Sequence, residues 1–149
     1  MTGPGDLDYI HSVERISKLS NVISINGGVQ LDLMGQENAE STGTRQLSGV
    51  GGQMDFLEGA YRSKGGKGFI CINSSRVTKN GERKSNILAT IPGGSTISAP
   101  RTMIQYVATE YGIASLSGKT LRERAEAMAS IAHPDFREEL MKYAQENFK

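Results

Sequence analysis

The stretch Ser48-Gly-Val-Gly-Gly-Gln-Met-Asp-Phe56 decides the fold class, because it places a glycine cluster directly before a helix pattern. Met54, Phe56-Leu57 and Ala60-Tyr61 follow at helical spacing. Glycines allow the sharp turn that lets such a helix start at once. Successive amides at this turn, together with the helix dipole, favour an oxyanion or a phosphate. A tight strand-to-helix connection without a ligand is the alternative.

Short apolar runs on both sides of this turn predict strands. They are Val22–Ile25, Val29–Leu33, Phe69–Ile72, Ile87–Ile91 and Ile104–Thr109. We expect Phe69–Ile72 to be buried, so that its Cys71 behaves as a small hydrophobic residue and not as a nucleophile. Asn80-Gly81 is typical of a hairpin turn and predicts an antiparallel pair of strands. The polar stretch Gly35–Ser48 has no periodicity and is predicted to be a long loop.

Helices are predicted at both ends of the chain. His11–Leu19 has apolar residues at helical spacing, and Thr120-Leu-Arg-Glu123 is a capping box that starts a helix over Leu121–Ala132. Pro134 ends that helix and starts the last one, Phe136–Asn147. Strands, flanking helices and a glycine loop at a strand end together predict an α/β domain. Its layered sheet is expected to be mixed, largely parallel and flanked by helices.

The length, the charge balance and the few cysteine and histidine residues exclude several classes of function. The chain has 149 residues, enough for one domain, with 17 basic and 16 acidic side chains and a net charge of +1. This balance argues against nucleic-acid and anionic-membrane partners, and the apolar runs are too short to span a bilayer. One cysteine and two histidines cannot form a disulfide framework or a tetrahedral zinc site. We therefore expect a cytoplasmic protein without a metal.

Two further short features, Gly118-Lys119-Thr120 and Glu110, are candidates for a binding site. Gly118-Lys119-Thr120 looks like the end of a phosphate loop, but Ile113 stands where that motif needs a glycine, so we reject it. Glu110 closes the apolar strand before Tyr111. A carboxylate there is usually a solvated turn residue. The alternative is an acid that faces a cleft at the strand ends, where open α/β sheets bind ligands.

Five long stretches, in order and covering nearly the whole chain from Asp8, carry a family resemblance. They are Asn21–Asn26, Val29–Ser41, Ser48–Phe56, Val107–Gly112 and Leu116–Arg137. Together they closely resemble the carboxy-terminal domain of the acetyl-CoA hydrolase/transferase family, and most nearly its 4-hydroxybutyrate and butyrate CoA-transferases. We accordingly interpret residues 8–149 as that domain, with a CoA-transferase-like fold, and residues 1–7 as a disordered lead-in or a cloning remnant.

The resemblance implies a chemistry. A glutamate attacks an acyl-CoA thioester, becomes a glutamyl-CoA thioester, and passes CoA to a small carboxylic acid. The family places an oxyanion-binding amide in the glycine loop, which implies Gly52 as that donor, with Gly51 and Gln53 beside it as residues that bind coenzyme A. Glu110 matches a second active-site glutamate that orients the nucleophile and tunes its ionisation.

The resemblance also implies how substrates and partners bind. Lys64, followed by Gly65 and Gly66, matches a lysine on the CoA side of the cleft, with Lys67 as a near alternative. Coenzyme A and acyl-CoA are then substrates, and no permanently bound cofactor is expected. The expected partners are an acyl-CoA, a small carboxylic acid, the upstream domain of the same enzyme and further copies in a homo-oligomer.

The chain departs from the family pattern in two respects. The family usually has Asn-His-Pro before the first helix, where this chain has His11-Ser12-Val13. The nucleophilic glutamate of the family belongs to the upstream half, and no acidic residue here matches it. We therefore expect half of an active site, inactive alone. The alternatives are half of an acyl-CoA hydrolase, a non-catalytic acyl-CoA-binding module, and a domain that only joins subunits.

Overall fold

A computed structural model describes residues 7–148 of the chain. The helices are α1 (Leu7–Ile10), α2 (Val13–Lys18), α3 (Gln53–Arg62), α4 (Leu121–Ser130) and α5 (Pro134–Asn147). The strands are β1 (Ile23–Gly27), β2 (Gln30–Asp32), β3 (Glu37–Asn38), β4 (Ser41–Thr42), β5 (Arg45–Gln46), β6 (Lys67–Cys71), β7 (Ser75–Val77), β8 (Arg83–Ser85), β9 (Ile87–Leu88), β10 (Tyr106–Thr109) and β11 (Gly112–Ser115). No helix within this range is long and apolar enough to cross a membrane.

The central sheet has the strand order β1-β6-β10-β11. β1 and β10 both run parallel to β6, and β11 runs antiparallel to β10. The sheet is therefore mixed and largely parallel, as the sequence predicted. The antiparallel strand is β11, which the sequence analysis missed, because Gly112–Ser115 is short and only Ala114 of it is buried.

Helices pack against one face of this sheet. α3 lies on β6 and β1, and α4 contacts β11. Leu57, Ile70, Val107 and Ala114 are almost fully buried there and belong to the main hydrophobic core. Burial of a large aliphatic side chain stabilises a fold by about 1.5 to 3 kcal/mol, so this layer holds the sheet in place.

The other face of the central sheet is exposed along its strands. Ile25 on β1 and Ile113 on β11 are 69% and 63% exposed. Cys71 is exposed as well, which contradicts the prediction that it lies in a buried strand. The apolar run Phe69–Ile72 suggested burial on both sides, but side chains alternate along β6, and only Gly68 and Ile70 on that strand are buried.

The stretch predicted to be a long loop is more regular than expected. It contains β3, β4 and β5, and β3 joins the three-stranded sheet β3-β2-β9. The prediction failed because the buried residues here are polar. Asn38 is fully buried; its side-chain oxygen accepts hydrogen bonds from the amides of Glu40 and Ser41, and its side-chain nitrogen donates to the Ser41 carbonyl. Local hydrogen bonds of this kind hold the segment in place, so it lacks the apolar pattern from which strands are predicted.

The hairpin and the helix ends agree with the sequence. β7 and β8 pair antiparallel across Asn80-Gly81, although only Gly81 has a positive φ, and the pair forms a separate two-stranded sheet. Thr120 and Glu123 form the predicted capping box, and His133 caps α5. Residues 1–6 of the predicted lead-in lie outside the described residues, and Leu7 begins α1.

Candidate active site

Glu110 lies directly after β10, at the carboxyl end of the parallel strands. Its carboxylate is held at both oxygens by Ser74. The Ser74 hydroxyl donates to Glu110 Oε1 at 2.6 Å, and the Ser74 amide donates to Oε2 at 2.9 Å. Ser74 is itself fully buried. The carboxylate of an exposed turn residue therefore has a fixed orientation, which a merely solvated glutamate would lack.

The same contacts set the charge of Glu110. Partial burial acts to raise the pKa of Glu110, but the hydrogen bonds from the Ser74 hydroxyl and amide outweigh burial and lower it below its usual value. The turn that carries Glu110 is fixed as well. Thr109 Oγ1 donates to the Ile131 carbonyl and accepts from the Tyr111 amide. Glu110 is an ionised, oriented carboxylate at neutral pH.

An open cavity of about 420 Å³ lies beside Glu110. Its lining residues come from the carboxyl ends of β1, β6 and β10; they are Gly28, Cys71, Ile72, Asn73, Ala108, Thr109 and Glu110. This is the edge at which open α/β sheets bind ligands. A larger groove of about 580 Å³ beside α2 contains none of the predicted site residues, so its size does not make it the better candidate.

The glycine turn leads into α3 as predicted, with Gly52 as its N-cap. Gly51 adopts φ +60° and is exposed. Gly52 has no side chain that could cap this helix end, so the first-turn amides have no partner from the N-cap residue. The ring of His11 lies directly over Gly52: a Cβ at position 52 would be 2.5 Å from His11 Cε1. A glycine is needed there because the imidazole approaches the backbone so closely.

Gln53, the first residue of α3, points away from solvent to Glu37. Gln53 Nε2 donates to Glu37 Oε2, and both side chains are buried. The other oxygen of Glu37, Oε1, has no hydrogen-bond partner among the described residues. Burial raises the pKa of Glu37 to about 8, although the Gln53 bond acts to lower it. Glu37 is therefore largely protonated at neutral pH.

Gly28 connects this buried pair to the cavity. A Cβ at Gly28 would lie 2.9 Å from Glu37 Oε1 and 3.2 Å from Ile70 Cγ2, so only a glycine fits without a shift. Gly28 also lines the cavity beside Glu110. Packed side chains thus link the start of α3 to the Glu110 cavity. The structure does not place Gly51 or Gly52 in that cavity itself.

Lys64, Gly65 and Gly66 lie at the opposite end of α3 from Gly52. A helix of ten residues is about 15 Å long, which separates the two groups by that distance. Both glycines have local reasons to be glycine: Gly65 has φ +76°, and a Cβ at Gly66 would collide with the Ala60 carbonyl oxygen. A role for Lys64 in CoA binding stays a prediction.

Sequence reasoning did not single out Ser74 or Glu37, and it assigned no role to His11. Ser74 has no sequence signal, because only the fold brings it to Glu110, 36 positions away. Glu37 lies in a polar stretch whose sequence predicts a loop. His11 precedes a helix start, and its contact with Gly52 is long-range. No group of three His, Cys, Asp or Glu side chains within residues 7–148 could hold a metal ion.

Glu110, its cavity and the parallel strands define the class of this molecule: an α/β domain with a ligand site at the carboxyl edge of its sheet. The model of the acetyl-CoA hydrolase/transferase C-terminal domain matches residues 5–144. The chain therefore belongs to the acetyl-CoA hydrolase/transferase family, as the sequence resemblance indicated.

Known relatives extend this assignment. The chain is 47% identical over 139 residues to the butyryl-CoA:acetate CoA-transferase of Anaerostipes caccae. This match covers 93% of this chain and 31% of that protein. It is 48% identical over 142 residues to the 4-hydroxybutyrate coenzyme A transferase of Clostridium kluyveri, with 95% of this chain and 32% of that one covered. The chain thus spans about a third of the length of these relatives.

Solved structures share the fold. RipA from Yersinia pestis is similar with a TM-score of 0.81 and 39% identity, over 93% of this chain and 30% of that chain. The 4-hydroxybutyrate CoA-transferase from Porphyromonas gingivalis is similar with a TM-score of 0.74 and 40% identity, over 95% and 30% of the two chains. The predicted CoA-transferase-like fold is confirmed.

Proposed function

We propose that this chain is the carboxy-terminal part of a CoA-transferase, which moves CoA from an acyl-CoA to a small carboxylic acid. A glutamate of upstream polypeptide is the nucleophile and carries the glutamyl-CoA thioester. One observation supports this most: Glu110 is ionised, held at both oxygens by Ser74, and placed beside an open cavity at the carboxyl edge of the sheet.

Glu110 orients and tunes the incoming nucleophile. Two carboxylates that lie close together raise the pKa of at least one of them, because like charges repel. The hydrogen bonds from Ser74 keep the charge on Glu110. The repulsion therefore raises the pKa of the neighbouring glutamate.

Gly52 supplies the oxyanion donor. Each addition to a thioester or anhydride carbonyl builds negative charge on oxygen, and an amide aimed at it contributes about 3 to 4 kcal/mol where water is excluded. The uncapped first turn of α3 has free amides and a favourable dipole. Gly51 and Gln53 flank this donor, and His11 lies over it as a further contact for a ligand.

Lys64 binds the CoA end of the substrate. A lysine ammonium on a flexible stem suits the phosphates of coenzyme A, and Lys64 lies at the end of α3 opposite Gly52. Gly65 and Gly66 shape the turn that presents this lysine. Coenzyme A acts here as substrate, and we propose no permanently bound cofactor, a cytoplasmic location and a homo-oligomeric enzyme.

Transfer to a carboxylic acid is favoured over hydrolysis by the relatives. Five proteins between 42% and 48% identical are named as CoA-transferases, whereas the acetyl-CoA hydrolases of Eremothecium gossypii and Kluyveromyces lactis are 32% identical. A non-catalytic acyl-CoA-binding module is the second candidate, because the glycine turn could hold an anion without chemistry. Tight CoA binding by the isolated chain would favour it.

The test uses the Anaerostipes caccae enzyme with its carboxy-terminal third replaced by this chain. With butyryl-CoA and acetate, we expect turnover, and Glu110→Gln should lower it by at least about 100-fold. Glu138→Gln, an exposed change on α5, is the matched control and should leave turnover within about twofold of the unsubstituted chimera. A chimera in which Glu110→Gln turns over at the control rate would remove Glu110 from the mechanism.

The isolated chain provides the complementary measurement. Mixed with acetyl-CoA and butyrate, it should show no transfer of CoA, because the nucleophile is supplied by upstream polypeptide. Clear turnover by the pure chain would refute this division of the active site.

A further inference from the structure

The backbone of Glu37 is held on both sides. β3 pairs antiparallel with β2, which places Glu37 opposite Leu31. On the other side, the Glu37 amide donates to the Ala99 carbonyl at 3.0 Å, and the Glu37 carbonyl accepts from the Ser98 amide at 2.8 Å. A shift of this strand would break these hydrogen bonds, and an unpaired backbone group is costly in a protein interior. The backbone of Glu37 is therefore a fixed point in the fold.

The side chain of Glu37 extends from this fixed point to two parts of the candidate site. Its Oε2 accepts a hydrogen bond from Nε2 of Gln53, the first residue of α3. Its Oε1 lies next to Gly28, where a Cβ would be 2.9 Å away, and Gly28 lines the cavity beside Glu110. A single buried carboxyl group thus contacts both the start of α3 and the wall of the Glu110 cavity.

The glycine turn has no side chains with which to fix its own conformation. Gly49-Val50-Gly51-Gly52 contains no polar side chain, and Gly51 has φ +60°. Glycine loses more conformational freedom on folding than any other residue, so the turn depends on anchors at its two ends. The end before the turn is held by a backbone hydrogen bond of Ser48. At the end that begins α3, the anchor is the side chain of Gln53, which Glu37 holds.

We propose that Glu37 is a positioning residue for the glycine turn. By holding Gln53, it fixes the first turn of α3 and therefore the direction of the Gly52 amide. This role rests on the proposed function, in which the Gly52 amide binds the oxyanion that forms on the substrate. A displacement of about 1 Å in such a group can slow an enzyme by about 100-fold, so the contact that holds the neighbouring residue affects the rate.

The neutral form of Glu37 is the one that fits this role. Burial raises the pKa of Glu37 to about 8, and the hydrogen bond from Gln53 acts in the opposite direction. The groups that contact the carboxyl carry no charge; they are Gln53 of α3, Gly28, and Ile70 of β6. The acidic residues nearest in sequence, Asp32 and Glu40, hydrogen-bond to other side chains. We expect ionisation of Glu37 to admit water or displace Gln53, since a buried charge with one hydrogen-bond donor is costly.

Carbon NMR of the chain tests the positioning without any measurement of activity. The Cα resonances of Gly51 and Gly52 do not exchange with water, so they can be followed through the ionisation of Glu37. We expect both resonances to shift with a midpoint at about pH 8, and Glu37→Gln should abolish this step because its amide stays neutral. Gly81, in the turn between β7 and β8, is the matched control and should show no such step. A pH dependence that is the same in the parent chain and in Glu37→Gln would overturn the proposal.

Steady-state kinetics of the Anaerostipes caccae chimera measure what the positioning does for the reaction. Glu37→Leu removes the acceptor for Gln53 and should lower kcat by about tenfold or more, with KM within about twofold, because the oxyanion forms after the substrate binds. Glu37→Gln keeps an oxygen acceptor and should hold kcat within about threefold of the parent. Glu37→Gln should also keep its kcat above a pH of about 8, where the parent loses turnover. Ile87→Val, a buried change in the same three-stranded sheet, controls for lost packing and should leave kcat within about twofold.

The NMR and kinetic results together separate this role from the proposed function. If Glu37→Gln abolishes the NMR step but neither Glu37 variant changes kcat at any pH, the positioning role is supported, and the result counts against Gly52 as the oxyanion donor. If Glu37→Gln leaves the pH dependence unchanged while the chimera transfers CoA, the positioning role is refuted and the proposed function stands. Should Glu37→Leu fail to fold, the parent and Glu37→Gln suffice, because the NMR step and the pH profile of kcat need only that pair.

Discussion

Glu110 and Glu37 are two glutamates of one domain with opposite environments. Glu110 is exposed, accepts two hydrogen bonds from Ser74, and has a lowered pKa. Glu37 is fully buried, accepts one hydrogen bond from Gln53, and has a pKa raised to about 8. The number of donors and the access of water decide these charges, and residue type does not.

This difference separates the two ends of the candidate site. Glu110 supplies a fixed negative charge at the carboxyl edge of the sheet, where the proposed function needs one. Glu37 supplies a neutral carboxylic acid beneath Gly28 and Gln53, where an ionised group would be unstable. The following predictions test this contrast, from the largest expected effect to the smallest.

The stability of the chain should depend on the protonation of Glu37. Unfolded Glu37 ionises above pH 4.3 or so, whereas folded Glu37 keeps its proton until the pH approaches about 8. Between these two pKa values the folded state binds more protons than the unfolded state. The contribution of Glu37 to the free energy of unfolding is therefore complete below the unfolded pKa and is lost as pH rises toward the folded pKa. Glu37→Gln should remove a stability change on the order of 4 kcal/mol between pH 4.5 and 8.

Denaturant unfolding at several pH values measures this effect as the difference between the parent chain and Glu37→Gln. Glu110→Gln is the matched control, because the pKa of Glu110 is shifted in the other direction. The contribution of Glu110 to stability should be present at neutral pH and be lost as pH falls below the usual carboxyl range. A difference curve for Glu37 with no slope between pH 5 and 8 would contradict the buried, protonated state.

The close approach of His11 to Gly52 should appear as a coupling between the two positions. Gly52→Ala forces a methyl group within 2.9 Å of three atoms of the imidazole. We expect a loss of about 1 to 2 kcal/mol of folding free energy, because the ring must move. In a His11→Ala background the same change should cost less than about 0.5 kcal/mol. Equal costs in both backgrounds would mean that the ring does not lie over the turn.

Ser74→Ala should have the smallest effect on stability and a clear effect on Glu110. Loss of one hydrogen bond to a charged, exposed group should cost about 1 kcal/mol or less. The pKa of Glu110 should rise toward its ordinary value because the hydroxyl no longer stabilises the carboxylate. Carboxyl NMR measures this shift. Ser130→Ala removes an exposed hydroxyl on α4 that donates to the Ala127 carbonyl, and it should leave the pKa of Glu110 unchanged.

Sequence reasoning predicted the parts of the fold that local rules control. The residues Thr120 and Glu123 predict the capping box, and the glycine turn predicts the start of α3, because both features depend on neighbours in sequence. The exposure of Cys71 was missed because every residue of Phe69–Ile72 is apolar, so the pattern does not show which side of the strand faces solvent.

The glycine turn and Glu110 were candidates from the residues alone, and the family resemblance then gave each of them a role. The structure adds for each a neighbour that no local rule indicates. Ser74 reaches Glu110 across 36 positions, and His11 reaches Gly52 from another helix start. Such contacts depend on strand order, which the sequence of a single chain does not reveal.

Localisation of the CoA adduct tests the division of labour most directly. The Anaerostipes caccae chimera is incubated with butyryl-CoA, digested, and searched by mass spectrometry for a glutamate that carries CoA. Our account predicts the adduct on a glutamate upstream of this chain, with the Glu110 peptide unmodified. An adduct on Glu110 itself would contradict it, because Glu110 would then be the nucleophile.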